Sequence, residues 1–186
     1  MTTHQPIPRP PAPARRRRAA AVLAAAIALG AAPATLAATP ASAHSCAVTW
    51  GSLAKTSAPL ATGRVTGVRS GRHACYDRLV VDMTGRAPGY NVRYVSTVTQ
   101  DGSGHPVPVA GGARLAVVVK KGATSVPRMP SVAGYSTFRQ VKWAGSFEGY
   151  TTLGLGVRAR LPFRVFTLDD TATGRSRLVV DVAHHW

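Results

Sequence analysis

From Arg64 onward the chain consists of short runs in which apolar and polar residues alternate. These runs predict eight strands, near Arg64–Arg69, Tyr76–Met83, Tyr90–Val98, Arg114–Lys120, Thr137–Trp143, Tyr150–Arg158, Phe163–Leu168 and Arg177–Val182. Glycine, proline and aspartate turn formers separate the runs, and no window shows the 3.6-residue period of an amphipathic helix. The pattern predicts an all-β domain, built as a sandwich or a barrel.

One stretch, residues 121–136, breaks the alternation and contains Pro127 and Pro130. Loops of this length are uncommon in compact domains and are usually functional or mobile. The sequence does not decide between the two.

A five-residue repeat occurs near the two ends of the predicted domain. Arg78-Leu79-Val80-Val81-Asp82 recurs as Arg177-Leu178-Val179-Val180-Asp181. Successive residues of a strand point to opposite faces, so Leu and the second Val share one face while Arg, the first Val and Asp share the other. The repeat predicts two strands related by pseudo-symmetry, in which each charged side chain has a cross-strand partner.

The segment from Phe147 to Leu161 has the clearest alternation. Its odd positions are mostly apolar and predict a core face that begins with Phe147. Its even positions place Gly154 and Gly156 between a pair formed by Glu148 and Tyr150 and a pair formed by Arg158 and Arg160. We interpret this second face as a flat glycine floor on which a sugar or peptide could lie; an ordinary solvated face is the alternative.

The N-terminus has the three parts of a secretory signal. Arg15 to Arg18 form a basic cluster, an alanine-rich apolar run follows to Ala32, and Ala41-Ser42-Ala43 provides a small-residue cleavage site. The apolar run is shorter than the roughly 20 residues of a membrane-spanning helix. We therefore predict a signal peptide at residues 1–43 and a domain at residues 44–186, with the choice between the general and twin-arginine export routes left open.

The predicted domain is strongly basic. Five of the 23 lysine and arginine residues lie in the signal, which leaves 18 against seven acidic residues and a net charge of +11. Such a charge favours binding to polyanions. An arginine-rich genome composition would produce the same charge without a function.

Two cysteines, Cys46 and Cys75, lie beyond the signal. An even cysteine count in an exported chain predicts a disulfide. It would close a loop of about 29 residues and stabilise the fold by roughly 3–4 kcal/mol in the chain-entropy description.

The motifs of common enzyme and cofactor sites do not occur in the sequence. It has no G-x-S-x-G, H-E-x-x-H, P-loop or dinucleotide-binding fingerprint. Glu148 is the only glutamate, and adjacent His184 and His185 would point to opposite faces of a strand. We therefore expect a protein that is not an enzyme and that has no metal site and no cofactor.

Several motifs resemble the AMIN-like domain of exported actinobacterial proteins, a family related to the AMIN domain of N-acetylmuramoyl-L-alanine amidases. They are the segments at residues 73–82, 143–149, 154–158, 163–166 and 177–182. The resemblance spans Trp50 to Trp186 and implies a small β-sandwich of two similar sheets. The amidase-attached AMIN domain binds peptidoglycan, so the resemblance also implies a cell-envelope role.

Charge, pattern and resemblance together lead to a function hypothesis. We expect a secreted or wall-associated binding module for peptidoglycan or an anionic wall polymer, with candidate ligand-binding residues Glu148, Tyr150, Arg158, Arg160 and Arg164. A secreted adaptor that binds a cell-envelope protein through a sheet face or edge is the alternative. Nucleic-acid binding would rest on charge alone and would be nonspecific, and we expect no membrane span after signal cleavage.

Overall fold

The computed structural model describes residues 46–186, and the predicted signal peptide lies outside them. The described part folds into eleven strands. They are β1 (Lys55–Ser57), β2 (Val65–Arg72), β3 (Tyr76–Thr84), β4 (Tyr90–Val95), β5 (Val98–Thr99), β6 (Pro106–Val107), β7 (Ala113–Val119), β8 (Phe138–Phe147), β9 (Tyr150–Val157), β10 (Phe163–Asp170) and β11 (Arg175–Ala183).

The strands form two main sheets and one small one. A five-stranded sheet has the order β1-β4-β7-β9-β8, a four-stranded sheet has the order β10-β11-β3-β2, and β5 pairs with β6. All pairings between these strands are antiparallel. The predicted all-β sandwich is therefore confirmed.

One apolar core lies between the two main sheets. The alternation along each strand sends one set of side chains inward, such as Leu79 and Val81 of β3, Leu178 of β11, and Leu153 and Leu155 of β9, each of which is fully buried. Burying side chains of this size stabilises the fold by about 1.5–3 kcal/mol each relative to leaving them exposed.

A strap formed by residues 98–112, which includes β5 and β6, covers the outer face of the five-stranded sheet. Val98, Val107 and Val109 of the strap form a second apolar cluster with Ala144 of β8. Side chains on the sheet fasten the strap: Arg114 Nε donates to the Val109 carbonyl at 3.0 Å, and Lys142 Nζ donates to the Pro108 carbonyl at 3.0 Å. The part of this outer face formed by β7, β8 and β9 is therefore occupied by the protein itself.

The irregular stretch at residues 121–136 packs onto the sandwich. Val132 is buried in the main core, and the Tyr135 hydroxyl lies 3.0 Å from the Ser70 hydroxyl of β2. Ala123 forms a bridge with Val65 at the start of β2. These contacts hold the stretch against β2.

The eight predicted strands and the predicted disulfide are confirmed. Cys46 is bonded to Cys75. The three strands that the pattern missed, β1, β5 and β6, have only two or three residues each, too few to show an alternation. Over residues 46–186, no helix has the length and apolar character needed to cross a bilayer.

Candidate functional site

The repeated strands lie side by side in the four-stranded sheet. β3 and β11 pair so that Arg78 is opposite Asp181, Asp82 is opposite Arg177, and Val80 is opposite Val179 at the centre. Each motif therefore supplies the partner for the charges of the other, as the predicted pseudo-symmetry requires. Arg78 Nε lies 2.6 Å from Asp181 Oδ1, and Arg177 Nε lies 3.8 Å from Asp82 Oδ1.

An arginine–aromatic cluster lies on the outer face of this sheet around Asp181. Asp181 is fully buried and binds two guanidinium groups, Arg78 from β3 and Arg164 from β10, the latter at 2.9 Å. Aromatic rings surround the two cations. The members of the cluster are Trp50, Tyr76, Arg78, Arg164, Phe166 and Asp181.

Arg164 lies over several aromatic faces at once. Its guanidinium carbon is 4.5 Å from the Trp50 ring centre, 5.3 Å from that of Phe166 and 5.4 Å from that of Tyr76. Cation–π contacts at these distances contribute about 0.5–2 kcal/mol, depending on solvent exposure. Trp50 and Tyr76 also meet edge to face, at 5.6 Å between ring centres. The ring stack and the ion pairs together fix the position of the Arg164 head group.

The cluster retains hydrogen-bond donors for a ligand. Within residues 46–186, Arg164 donates a hydrogen bond only through Nε. The N–H groups of its two terminal nitrogens therefore remain available as donors to a ligand. The Arg164 side chain is 41% exposed. The hydrogen bond to Asp181 raises the pKa of Arg78, although burial opposes this effect. The cluster therefore presents a fixed cation beside aromatic faces.

The N-terminal segment delivers Trp50 to the cluster. The disulfide joins Cys46 to Cys75, the residue before Tyr76 of β3. Gly51 accepts a hydrogen bond from the Phe163 amide of β10 at 2.9 Å. Arg160 donates to the Ser52 carbonyl at 3.2 Å and to the Ser52 hydroxyl at 3.3 Å. One covalent bond and three hydrogen bonds thus fix the residues around Trp50.

The predicted glycine floor is wrong. Gly154 and Gly156 lie on the outer face of β9, as the alternation predicts, but both are buried under the strap. A Cβ atom at Gly156 would lie 1.8 Å from the Ala110 carbonyl oxygen. The glycines are present because the strap backbone approaches closely, and no ligand can lie there. Phe147, predicted on the core face, is 49% exposed.

Glu148 and Tyr150 lie at the opposite end of β9 from the predicted arginines. Glu148 and Gly149 form the turn between β8 and β9, both with positive φ. Together with Tyr150, Leu60 and Lys120, they line a pocket of about 460 Å³. At about 3.3 Å per residue, Tyr150 and Arg158 are roughly 26 Å apart along the strand. The five predicted residues therefore do not share one face.

The structure brings two of the predicted residues together. Arg160 and Arg164 both hold the segment around Trp50, one at Ser52 and the other at the indole ring. Arg158 lies apart from them and donates a hydrogen bond to the carbonyl of His184 near the C-terminus. Arg160 and Arg158 hold chain segments in place, whereas Arg164 belongs to the arginine–aromatic cluster.

Sequence reasoning missed most of the cluster. The repeat predicted that the arginine and aspartate of each motif share one face, and that face of β3 and β11 carries Arg78 and Asp181 of the cluster. Trp50 and Phe166 were included in the family resemblance but were not predicted as ligand-binding residues, because Trp50 precedes the first strand and the motif at residues 163–166 indicated only a strand. Among residues 46–186, no three histidine, cysteine or acidic side chains are grouped as metal ligands would be.

Comparison with known proteins identifies the family. A family model of the AMIN-like domain matches residues 63–184. Domains of this type occur in exported proteins and are typically non-catalytic cell-envelope binding modules. The chain has no significant match among curated proteins and none among solved structures. Since the match covers more than half of its length, the chain belongs to the AMIN-like domain family.

Proposed function

We propose that this protein is an exported, non-enzymatic module that binds peptidoglycan or an anionic wall polymer through the arginine–aromatic cluster. One observation carries the proposal: Arg164 is held by Asp181 and by three aromatic rings, while its terminal N–H groups have no partner within residues 46–186.

The chemistry of the cluster fits a glycan that bears carboxylates. A guanidinium binds a carboxylate through two parallel N–H bonds when its plane is held in place. The Tyr76 ring is stacked on His73, at 4.5 Å between ring centres, so the half-buried Trp50 indole offers the apolar surface against which a sugar ring can pack. The net charge of +11 adds long-range attraction to a polyanionic wall.

Co-sedimentation of residues 44–186 with purified sacculi, stripped of attached anionic polymers, tests the proposal at physiological salt. We expect Trp50→Ala and Arg164→Gln each to weaken binding at least tenfold. The control variant is Arg93→Gln, which removes the same charge from an exposed position on β4 of the other sheet. We expect Arg93→Gln to change binding to the sacculi less than twofold.

Melting curves must accompany the assay, because Arg164 also pairs with buried Asp181. Folded variants that bind as well as the parent would overturn the assignment to this cluster. Failure of the parent protein to bind stripped sacculi would overturn the peptidoglycan proposal. If the parent protein instead bound one envelope protein at a fixed ratio, the adaptor alternative would replace the peptidoglycan proposal.

A further inference from the structure

A second charged cluster lies at the other end of the same sheet face. It surrounds Asp82 and contains Arg69 of β2 with Arg175 and Arg177 of β11, which line a pocket of about 470 Å³. It is the pseudo-symmetric counterpart of the cluster around Asp181, because Asp82 pairs with Arg177 as Asp181 pairs with Arg78. The two aspartates are four residues apart in strand register, about 13 Å at 3.3 Å per residue.

The charges of this second cluster do not cancel. Arg69 binds Asp82 with two hydrogen bonds, at 2.8 and 3.1 Å, and they raise the pKa of Arg69. Arg177 reaches Asp82 only at 3.8 Å. Within residues 46–186, Arg175 has no ion pair and no side-chain hydrogen bond, although Asp170 is its neighbour in β10. The three arginines and one aspartate that line the pocket leave a net charge of +2, and Asp170 beside Arg175 reduces the net charge of the surroundings to +1.

The two clusters differ in what surrounds the arginines. Among residues 46–186, no aromatic side chain lines the pocket around Asp82; Thr66, Gly67 and Thr84 lie beside the arginines instead. A sugar ring therefore has no aromatic side chain in this pocket against which to stack. Two incompletely neutralised guanidiniums on one strand can donate several N–H bonds to one compact anion.

We propose that the pocket formed by Arg69, Arg175 and Arg177 binds a phosphate ester group. This inference rests on the proposed function, since it makes one sheet face recognise a glycan at one end and a phosphate at the other. A tetrahedral phosphate has oxygens enough to accept from both arginines of β11. Arg69 neutralises Asp82, which would otherwise repel the ligand.

Calorimetric titration with inorganic phosphate, and then with a purified glycerol-phosphate polymer, tests the inference. We expect Arg175→Gln with Arg177→Gln to weaken binding of both probes at least tenfold. Arg93→Gln with Arg128→Gln is the matched control, because both arginines are exposed, outside the pocket and without an acidic partner within residues 46–186. We expect a change below twofold in the control.

A parallel titration with phosphatidylglycerol vesicles separates the two sources of phosphate. Preferential binding to the polymer, lost in the Arg175/Arg177 variant, assigns the site to a wall polymer. Preferential binding to vesicles, lost in the same variant, assigns it to a lipid headgroup. No binding of phosphate in any form, or equal losses in the variant and its control, would overturn the inference.

Stripped sacculi distinguish this inference from the proposed function. We expect the Arg175/Arg177 variant to bind them as the parent does, because its changes spare Trp50 and Arg164. A parent protein that binds stripped sacculi but no phosphate would contradict only the second site. A parent protein that binds phosphate but not stripped sacculi would contradict only the proposed function of the arginine–aromatic cluster.

Discussion

Gly156 shows how a single residue can carry two opposite interpretations. A glycine on the outer face of a strand is compatible with a bare ligand platform, and equally with close approach of another backbone. The carbonyl of Ala110 is 1.8 Å from the position of a Cβ atom at Gly156, so the second interpretation is correct. A side chain here must displace the strap.

We therefore expect Gly156→Ala to lower the free energy of unfolding by about 3 kcal/mol, at the upper end of overpacking effects. Gly71→Ala on β2 is the control, since its Cβ would come no nearer than 3.7 Å to another residue. Urea denaturation measures both variants. A loss in Gly156→Ala no larger than in the control would show that the strap moves aside at little cost.

Lys121 is a buried cation with an unusual environment. It is only 2% exposed, and its ammonium donates to the carbonyls of Thr84 and Arg86, each at 2.7 Å. Burial lowers the pKa of Lys121, and the charge of Asp169 offsets part of this effect. The folded protein therefore binds fewer protons at this site than the unfolded chain does.

This linkage gives a pH dependence with a definite sign. At neutral pH the lowered pKa reduces stability, and the loss is recovered as the pH rises through the folded-state pKa toward the ordinary value of 10.5. We expect the stability of the parent to rise relative to Lys121→Met as the pH rises from about 7 to about 10. Urea denaturation of both proteins measures the difference; parallel pH profiles would contradict it.

At the scale of elements, the N-terminal segment connects the disulfide to the candidate site. Cys46 is bonded to the residue that precedes β3, and Trp50 lies four residues further along, against Arg164. Cys46 and Trp50 lie outside the region that the family model matches. This segment therefore adds an aromatic wall to a sheet face that the matched region provides.

We expect Cys46→Ser with Cys75→Ser to lower the free energy of unfolding by about 3 kcal/mol, because the unfolded chain loses a constraint. Binding to stripped sacculi should also weaken toward the level of Trp50→Ala, since the tether of Trp50 is gone. Denaturation and sedimentation at a temperature where the variant is folded test both effects. Full binding by a destabilised variant would show that Gly51 and Ser52 alone hold Trp50.

At the scale of the whole molecule, the sequence specified the fold better than the site. Alternation and turn residues located all eight long strands, because each buries one face in a common core. The strap at residues 98–112 was not predicted, since its strands β5 and β6 have only two residues each. Without the strap, the covered sheet face could not be distinguished from the open one, and four of the five candidate residues lie at the two ends of β9 and not on one shared face.

Residues 44–186 carry a net charge of +11, so general attraction must be separated from specific recognition. Attraction between exposed charges is screened over about 8 Å at physiological salt, whereas stacking against Trp50 is not screened. We expect Arg93→Gln with Arg128→Gln to weaken binding to intact walls at low salt and to have little effect at physiological salt. Trp50→Ala should weaken binding by the same factor at both.

Sedimentation with intact sacculi at two salt concentrations measures these ratios. A Trp50→Ala effect that disappears at one salt concentration would mean that the indole ring only supports Arg164 and does not contact the ligand. A strong effect of the exposed arginines at physiological salt would mean that the whole basic surface recognises the wall. A loss of binding in Trp50→Ala that is the same at both salt concentrations, together with a salt-dependent loss in the arginine control, would locate recognition at the arginine–aromatic cluster. The remaining positive charge would then contribute only long-range attraction to the wall.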